Sequence, residues 1–453
     1  MEKTIAAVST APAPGGVGMV RISGGEALAV ADKVFRGRRP LSGMEGYTAQ
    51  LGAAFDARGE RLDQVIALVF RGPRSYTGED VVELSCHGGL YVTRRLLQAV
   101  LEAGASPAGP GEFTRRAFLN GKLDLAQAEA VMGLVGASGE QALKAAQAGS
   151  RGILSKRIRE IREGLLEQAG HLAAWADFPE EDVPEVEERE LFKALKGAQE
   201  GLRSLLRGFE RGQVYREGLR TVIAGRPNAG KSTLMNLLSG CERSIVTQYA
   251  GTTRDVVEET VLLGGVPLRL ADTAGLRETD DPVESIGVQA ARERLKTAQL
   301  VLAVFDSSQE LQKEDWELMD ALQGTPAIAV VNKTDLSTAM DVQAVESRFP
   351  WVVFLSAASG EGLEDLEKAL SEILDTEAFH PEEGVLFTQR QRGDAQKALE
   401  SLEEGEAALL GGMTLDAVTV CVEDALNALS ALTGEKVSEE VVDRVFEEFC
   451  VGK

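Results

Sequence analysis

Gly225-Arg226-Pro227-Asn228-Ala229-Gly230-Lys231-Ser232 puts two glycines, a lysine and a hydroxyl where phosphate chemistry needs them. The pattern is G-x-x-x-x-G-K-S, preceded by the apolar run Leu219, Thr221, Val222, Ile223, Ala224 and followed by Thr233, Leu234, Met235, Asn236, Leu237 and Leu238. The glycines let the backbone wrap so that successive N–H groups point at phosphate oxygens, and the following helix adds the positive end of its dipole. Lys231 then reaches the terminal phosphates and Ser232 ligates Mg²⁺. The bland alternative is a Gly-rich turn opening an ordinary helix, and the strand–helix context counts against it.

The base is chosen further along. Asn332-Lys333-Thr334-Asp335 follows the apolar run Ala327 to Val331. A carboxylate at 335 accepts from both N1–H and the exocyclic amine of guanine, and adenine offers no such pair of donors. The expected nucleotide is therefore GTP, and a plain metabolic ATPase is excluded. Ser356-Ala357-Ala358 places a backbone N–H near the guanine carbonyl. Asp272-Thr273-Ala274-Gly275 supplies a carboxylate behind Mg²⁺ and a glycine able to swing toward the γ-phosphate, and Thr252-Thr253-Arg254-Asp255 supplies a threonine that completes the Mg²⁺ shell only with GTP present. Ras-type GTPases follow the Asp-x-x-Gly motif with a water-orienting glutamine. This chain has Leu276, which cannot hold water, so the base is sought among Glu278, Asp280, Asp281 and Glu284. Without a family, Glu284 reads as an exposed acid at a helix N-terminus, favoured by the dipole.

These motifs need a doubly wound α/β domain over residues 218–374, with strands expected at Val261–Leu263, Leu268–Ala271, Leu300–Phe305, Ala327–Val331 and Val352–Leu355. Residues 1–118 read as α+β, with strands at Val17–Ser23, Val65–Phe70 and Val81–Ser85. Taken alone, Arg21, Glu83 and the cluster Arg115, Arg116, Lys122 read as solvated charges. Residues 119–217 and 375–453 read as helical, from apolar stripes such as Leu154, Ile158, Ile161, Leu165 and Val422, Ala425, Leu426, Leu429. Between the first of these and a further stripe at Phe192, Leu195, Leu202, Leu205 and Phe209 lies an acidic, proline-broken connector, Asp177 to Glu185. Short amphipathic helices need partners, so the α/β domain is expected as an insertion into a helical domain whose halves pack together.

The 453 residues carry a net charge of −23, which argues against a general basic surface for nucleic acid. Any RNA contact should be local or supplied by a partner. Four dispersed cysteines and three histidines show no metal-ligand spacing and suit a reduced, cytosolic chain. No run approaches the ~18 apolar residues of a membrane span.

With these residues in view, the chain resembles the MnmE (TrmE) tRNA-modification GTPases along essentially its whole length. The matching strings include Gly15-Gly16-Val17-Gly18, Arg21-Ile22-Ser23, Thr77-Gly78-Glu79-Asp80, Gly111-Glu112-Phe113, Ala117-Phe118-Leu119-Asn120, Lys122 to Ala130, Asp177-Phe178-Pro179, Gly225 to Ser232, Ile245-Val246-Thr247, Ala250 to Asp255 and Phe449-Cys450-Val451-Gly452-Lys453. The resemblance implies a multidomain α/β chain: an N-terminal folate-binding and dimerisation domain (1–118), a helical domain in two halves (119–217 and 375–453) and an inserted Ras-like G domain (218–374). It implies GTP held by Asn228, Ala229, Gly230, Lys231, Ser232, Thr233, Thr247, Gln248, Tyr249, Ala250, Gly251, Thr252, Asp272, Thr273, Ala274, Gly275, Asn332, Lys333, Asp335, Ser356, Ala357 and Ala358. Mg²⁺ falls to Ser232 and Thr253, and K⁺ to Asn228, Thr247, Tyr249 and Thr252. Glu284 takes the general-base position.

A tetrahydrofolate derivative, in its 5-formyl or methylene form, falls to Arg21, Glu83, Lys122 and Lys453. The tail thiol Cys450 is implied near the folate and uridine chemistry; prenylation is rejected, because Gly452 is not aliphatic and Lys453 is not a usual terminal residue for it. The implied partners are a second copy of the chain, the flavoprotein MnmG in a heterotetramer, and tRNA, in the cytoplasm and away from membranes. The rival expectation is a non-modifying switch or ribosome-assembly GTPase. Calorimetry with 5-formyltetrahydrofolate separates the two, and failure to bind favours the rival.

Overall fold

The computed structural model describes residues 3–177, 187–240, 259–270, 298–375 and 379–453. The chain divides into two compact units. One comprises residues 1–132, 158–186 and 404–453, the other 133–157 and 187–403.

The first unit is built on a seven-stranded sheet of β1 (Ile5–Val8), β2 (Val17–Ser23), β3 (Phe35–Gly37), β4 (Thr48–Phe55), β5 (Arg61–Phe70), β6 (Val81–His87) and β7 (Ser106–Pro107), in the order β3-β4-β5-β6-β2-β1-β7. Alternation sorts its faces. Val65, Ala67 and Val69 of β5 join a core with α1 (Ala27–Val34) and α2 (Leu90–Glu102), whereas Leu51 and Ile66, cross-strand partners on β4 and β5, remain exposed. The strands expected at Val65–Phe70 and Val81–Ser85 are present and run longer. The short α3 (Glu112–Leu119) and the start of α4 (Leu125–Gly136) follow.

Arg116 corrects the sequence-based expectation of a solvated charge. It is 4 % exposed, and its guanidinium meets Glu79 at 3.0 Å and Glu112 at 3.0 Å while also donating to the Lys3 carbonyl. A buried cation needs such partners to be tolerable.

The second unit holds a six-stranded sheet of β8 (Leu219–Ala224), β9 (Glu259–Leu263), β10 (Val266–Leu270), β11 (Leu300–Asp306), β12 (Ala327–Asn332) and β13 (Val352–Leu355), ordered β13-β12-β11-β8-β10-β9. Only the β9–β10 pair is antiparallel. Every residue of β11 and β12 is buried, as a parallel sheet covered on both faces requires. The period of two still shows: Leu302, Val304, Ile328 and Val330 pack on one side, Val301, Ala303, Phe305, Ala329 and Val331 on the other.

The chain enters and leaves this sheet through one clasp. Tyr215, near the end of α7 (Glu188–Glu217), stacks on Phe379 with centroids 4.9 Å apart, and Arg216 donates to the Leu386 carbonyl at 2.6 Å. Burial pushes the Arg216 guanidinium down to about 10. Distant helical segments also meet. Gln199 on α7 donates to the carbonyl of Leu402, and Arg162 of α6 (Ile153–Asp177) pairs with Glu435. Among the described residues, no helix is long and apolar enough to cross a membrane.

Candidate functional site

The loop from β8 to α8 (Lys231–Gly240) is shaped by backbone conformations that ordinary residues avoid. Gly225 has φ 156° and Gly230 φ 97°. A Cβ on Gly225 would lie 2.4 Å from the Val304 carbonyl oxygen, and one on Gly230 would lie 2.1 Å from Asn332 Nδ2. Both glycines are therefore required by close approach as well as by φ. Asn228 also sits at positive φ, 64°, with its side chain exposed. Lys231 Nζ donates to the Gly225 and Arg226 carbonyls at 2.8 and 2.7 Å, so the ammonium is carried over the loop. Ser232 and Thr233 stand exposed at the first turn of the helix.

Asn332, the last residue of β12, is the clamp of the site. Its Nδ2 donates to the Ala229 carbonyl at 2.9 Å and its Oδ1 accepts from the Ala357 amide at 2.9 Å, with the side chain 1 % exposed. One amide thereby fixes the phosphate loop and the loop of Ser356–Ala358 to each other. Asp335 is exposed, and the Ser356 hydroxyl donates to its Oδ1 at 2.7 Å, which sets the orientation of the carboxylate. Ala358 is exposed one residue beyond Ala357.

Two supporting pairs are not foreseen by the motifs. Lys333 Nζ donates to Asp306 Oδ2 at 2.7 Å. Burial would raise the Asp306 carboxyl, but hydrogen bonds from Lys333 and Ser308 outweigh it and hold the group below the usual carboxylate range. Arg226 lies 3.3 Å from Asp315, which also accepts from the Gln312 amide in the capping box that opens the helix Lys313–Ala321. The only signal for Asp306 was a polar Asp-Ser-Ser directly after a strand.

The residues present fit a nucleoside triphosphate. The cradle is one that a Cβ would fill, a cation stands over it, and an oriented carboxylate lies beyond the clamp. Ser232 and Asn228 offer the hard oxygen donors that Mg²⁺ and K⁺ take. Thr247, Gln248, Tyr249, Ala250, Gly251, Thr252, Thr253, Asp272, Thr273, Ala274, Gly275, Leu276 and Glu284, with the connector from Phe178, lie outside the described residues.

A second constellation forms in the first unit. Arg21 and Glu83 are cross-strand partners on β2 and β6, joined at 2.9 Å, and the guanidinium lies over the rings of Phe113 and Tyr76. Arg21 Nη1 also donates to the Gly452 carbonyl at 3.3 Å. The tail is seated by further bonds: Gly111 N–H to Cys450 O, Phe113 N–H to Lys453 O, and Ser9 Oγ to Gly452 O. Gly452 has φ 95°, and a Cβ there would meet the Val8 carbonyl at 2.3 Å. Lys122 Nζ donates to the Pro73 carbonyl, on the loop that carries Tyr76. Of the residues named for folate, the structure thus brings together Arg21, Glu83 and the tail. It places Lys122 on the neighbouring loop. A guanidinium, a carboxylate and adjoining aromatic rings suit a planar ligand with both donors and acceptors.

Residues 125–450 match the family described as MnmE helical domain, and residues 4–122 match GTP-binding protein TrmE N-terminus. The tRNA modification GTPase MnmE of Symbiobacterium thermophilum is 46 % identical over 457 residues, covering 100 % of both chains. That of Alkaliphilus metalliredigens is 41 % identical over 462 residues, again 100 % of both. Among solved structures, the G domain of the T. maritima FeoB iron transporter is 26 % identical, covers 34 % of this chain and 98 % of its own, and has a TM-score of 0.26.

Proposed function

Since the chain belongs to the tRNA modification GTPase MnmE family, we propose that it couples GTP hydrolysis to modification of carbon five of the wobble uridine in certain tRNAs. The observation that carries the nucleotide half is the Asn332 clamp, which ties the phosphate loop to the loop beside the guanine-selecting Asp335. The tRNA half rests on full-length similarity to proteins named for that activity. The test is mass spectrometry of wobble nucleosides in tRNA from cells lacking the chain. We expect loss of the (carboxymethyl)aminomethyl group, and an unchanged nucleoside profile would exclude the proposal.

Ser232 and Thr253 hold Mg²⁺. Asn228, Thr247, Tyr249 and Thr252 would hold K⁺, which would supply positive charge to the triphosphate when two G domains meet. Glu284 acts as general base on the attacking water, the task Leu276 cannot do. A 5-formyl or methylene tetrahydrofolate is recognised by Arg21, Glu83, Lys122 and Lys453, with Cys450 near that chemistry. The partners are a second copy, the flavoprotein MnmG and tRNA, in the cytoplasm. Support for the second copy comes from the exposed Leu51 and Ile66 on the open face of the sheet. Support for an inserted G domain (218–374) between helical halves (119–217 and 375–453), with the folate domain at 1–118, comes from the Tyr215–Phe379 clasp at its two ends.

Hydrolysis should be faster in KCl than in NaCl at equal ionic strength. Glu284→Ala should lower turnover by roughly 10²–10⁴-fold with GTP affinity nearly intact. Equal rates in the two salts would count against the cation, and lost GTP binding would make Glu284 structural.

A further inference from the structure

Several half-buried arginines of this acidic chain meet a carboxylate: Arg71 meets Asp80, Arg95 Asp56, Arg115 Asp443, Arg203 Glu403 and Arg211 Asp375. At one edge of the seven-stranded sheet, exposed arginines cluster in sequence without such partners. Arg36, Arg38 and Arg39 fall within four residues on and just after edge strand β3, all exposed, and Arg74 is exposed on the loop that follows β5. Among the described residues none of the four forms an ion pair. The nearest carboxylate upstream, Asp32, is committed to the backbone, accepting from the amides of Leu41 at 2.5 Å and Ser42 at 3.1 Å.

Two members of the cluster are anchored, one by its side chain and one by its backbone. The Arg36 guanidinium lies 4.2 Å from the centroid of Phe55. Gln50 brackets Arg39, accepting from its amide at 3.1 Å and donating to its carbonyl at 2.9 Å. Gly37 makes room for that bracket, since a Cβ there would lie 2.4 Å from Gln50 Nε2. The same loop ends at Tyr47, 63 % exposed and at φ 62°, whose ring stands edge-on to Phe70. Tyr47, Arg71 and Arg74, with Glu45 and Gly46, line a cavity of about 400 Å³. Gln50, which holds Arg39, follows Tyr47 by three residues, roughly 10 Å along an extended strand.

Protection of an exposed sheet edge accounts for a single basic residue on so short a strand. It does not account for three exposed arginines within four residues, none ion-paired and one held against the Phe55 ring, on the loop that ends at an open aromatic ring. Arginine stays charged, grips phosphate with two parallel N–H bonds and stacks on planar bases, and an aromatic ring next to a cationic track is how single-stranded nucleic acid is held without sequence preference. In a chain of net charge −23, phosphate binding has to be local. The apolar neighbours Val34, Phe35 and Leu41 are buried, which leaves Tyr47 as the exposed ring of the cluster.

We propose that Arg36, Arg38, Arg39 and Arg74, with Tyr47, form a contact for an RNA phosphodiester strand, with Tyr47 stacking an unpaired base. The choice of RNA rests on the proposed tRNA substrate.

The experiment measures binding of unmodified tRNA to the full chain across a salt series, with Arg36→Gln/Arg38→Gln/Arg39→Gln and the corresponding triple lysine variant alongside wild type. Each lost phosphate contact should reduce the slope of log K against log salt by roughly 0.7–0.9. The glutamine variant should therefore bind roughly 10–100-fold more weakly with a slope shallower by about 2–3, while the lysine variant keeps most of the slope. GTP hydrolysis and the melting temperature should stay at wild-type values, showing that the fold survives. Wild-type affinity and slope in the glutamine variant would overturn the proposal. So would failure of the wild-type chain to bind tRNA at low salt, or variant-sensitive binding to phosphatidylserine vesicles in place of RNA. Failure here with wobble modification intact leaves the proposed function standing. Unchanged wobble nucleosides in cells lacking the chain, with variant-sensitive tRNA binding, would remove the function and keep the contact.

Discussion

Asp335→Asn should lower GTP affinity by roughly 10²–10⁴-fold and raise affinity for xanthosine triphosphate. On the proposed reading the carboxylate accepts from two guanine donors, and each charge-assisted bond is worth about 1.5–3 kcal/mol, with 1.4 kcal/mol per decade of affinity. Xanthine carries a carbonyl where guanine carries the exocyclic amine, so an asparagine amide matches it and mismatches guanine. The Ser356 hydroxyl, 2.7 Å from Asp335 Oδ1, should favour the amide oxygen on its own side and turn the new N–H₂ toward the base. Competition titration of the two triphosphates decides the matter. Equal losses for both would mean that Asp335 supports the loop without reading the base.

The second large effect is expected from Gly230→Ala. The added methyl would sit 2.1 Å from Asn332 Nδ2 at a φ of 97°, so either the loop or the clamp must give way. Displacing the Asn332 amide orphans the Ala229 carbonyl and the Ala357 N–H, at about 1–3 kcal/mol each, and the left-handed backbone adds about 1–2 kcal/mol. GTP affinity should fall at least 10²-fold and the melting temperature should drop with it. A variant that binds GTP like the wild type would show that the loop relaxes without passing strain to Asn332.

The two glycine positions and Asp335 were legible in the sequence because their chemistry lies in contiguous strings. The phosphate loop, Asn332 to Asp335 and Ser356 to Ala358 each carry their meaning within eight residues or fewer. Asp306 and Arg226 were not legible, since their partners Lys333 and Asp315 come from other elements and no local pattern announces the pairing. Arg116 was misread for the same reason: Glu79, on another element, makes its burial tolerable.

In the fold, long apolar runs such as Leu300 to Phe305 showed the buried parallel strands directly. The strands β1, β3, β4 and β7 passed unnoticed, being short or rich in alanine and glycine, where alternation leaves little trace. Arg21 and Glu83 read as surface charges because a cross-strand register is invisible until β2 and β6 are paired.

The Gly452 carbonyl that Arg21 grips is 431 residues downstream of it, and Gly111 and Phe113 wait for the same segment. A ribosome adding roughly 5–20 residues per second completes the sheet around β2 long before it makes that strap. Throughout that interval the Arg21–Glu83 pair lacks the tail that seats beside it. Folding of the N-terminal site is thereby tied to a segment made hundreds of residues later: until it arrives, the Gly111 and Phe113 amides and the Arg21 guanidinium lack these carbonyl partners.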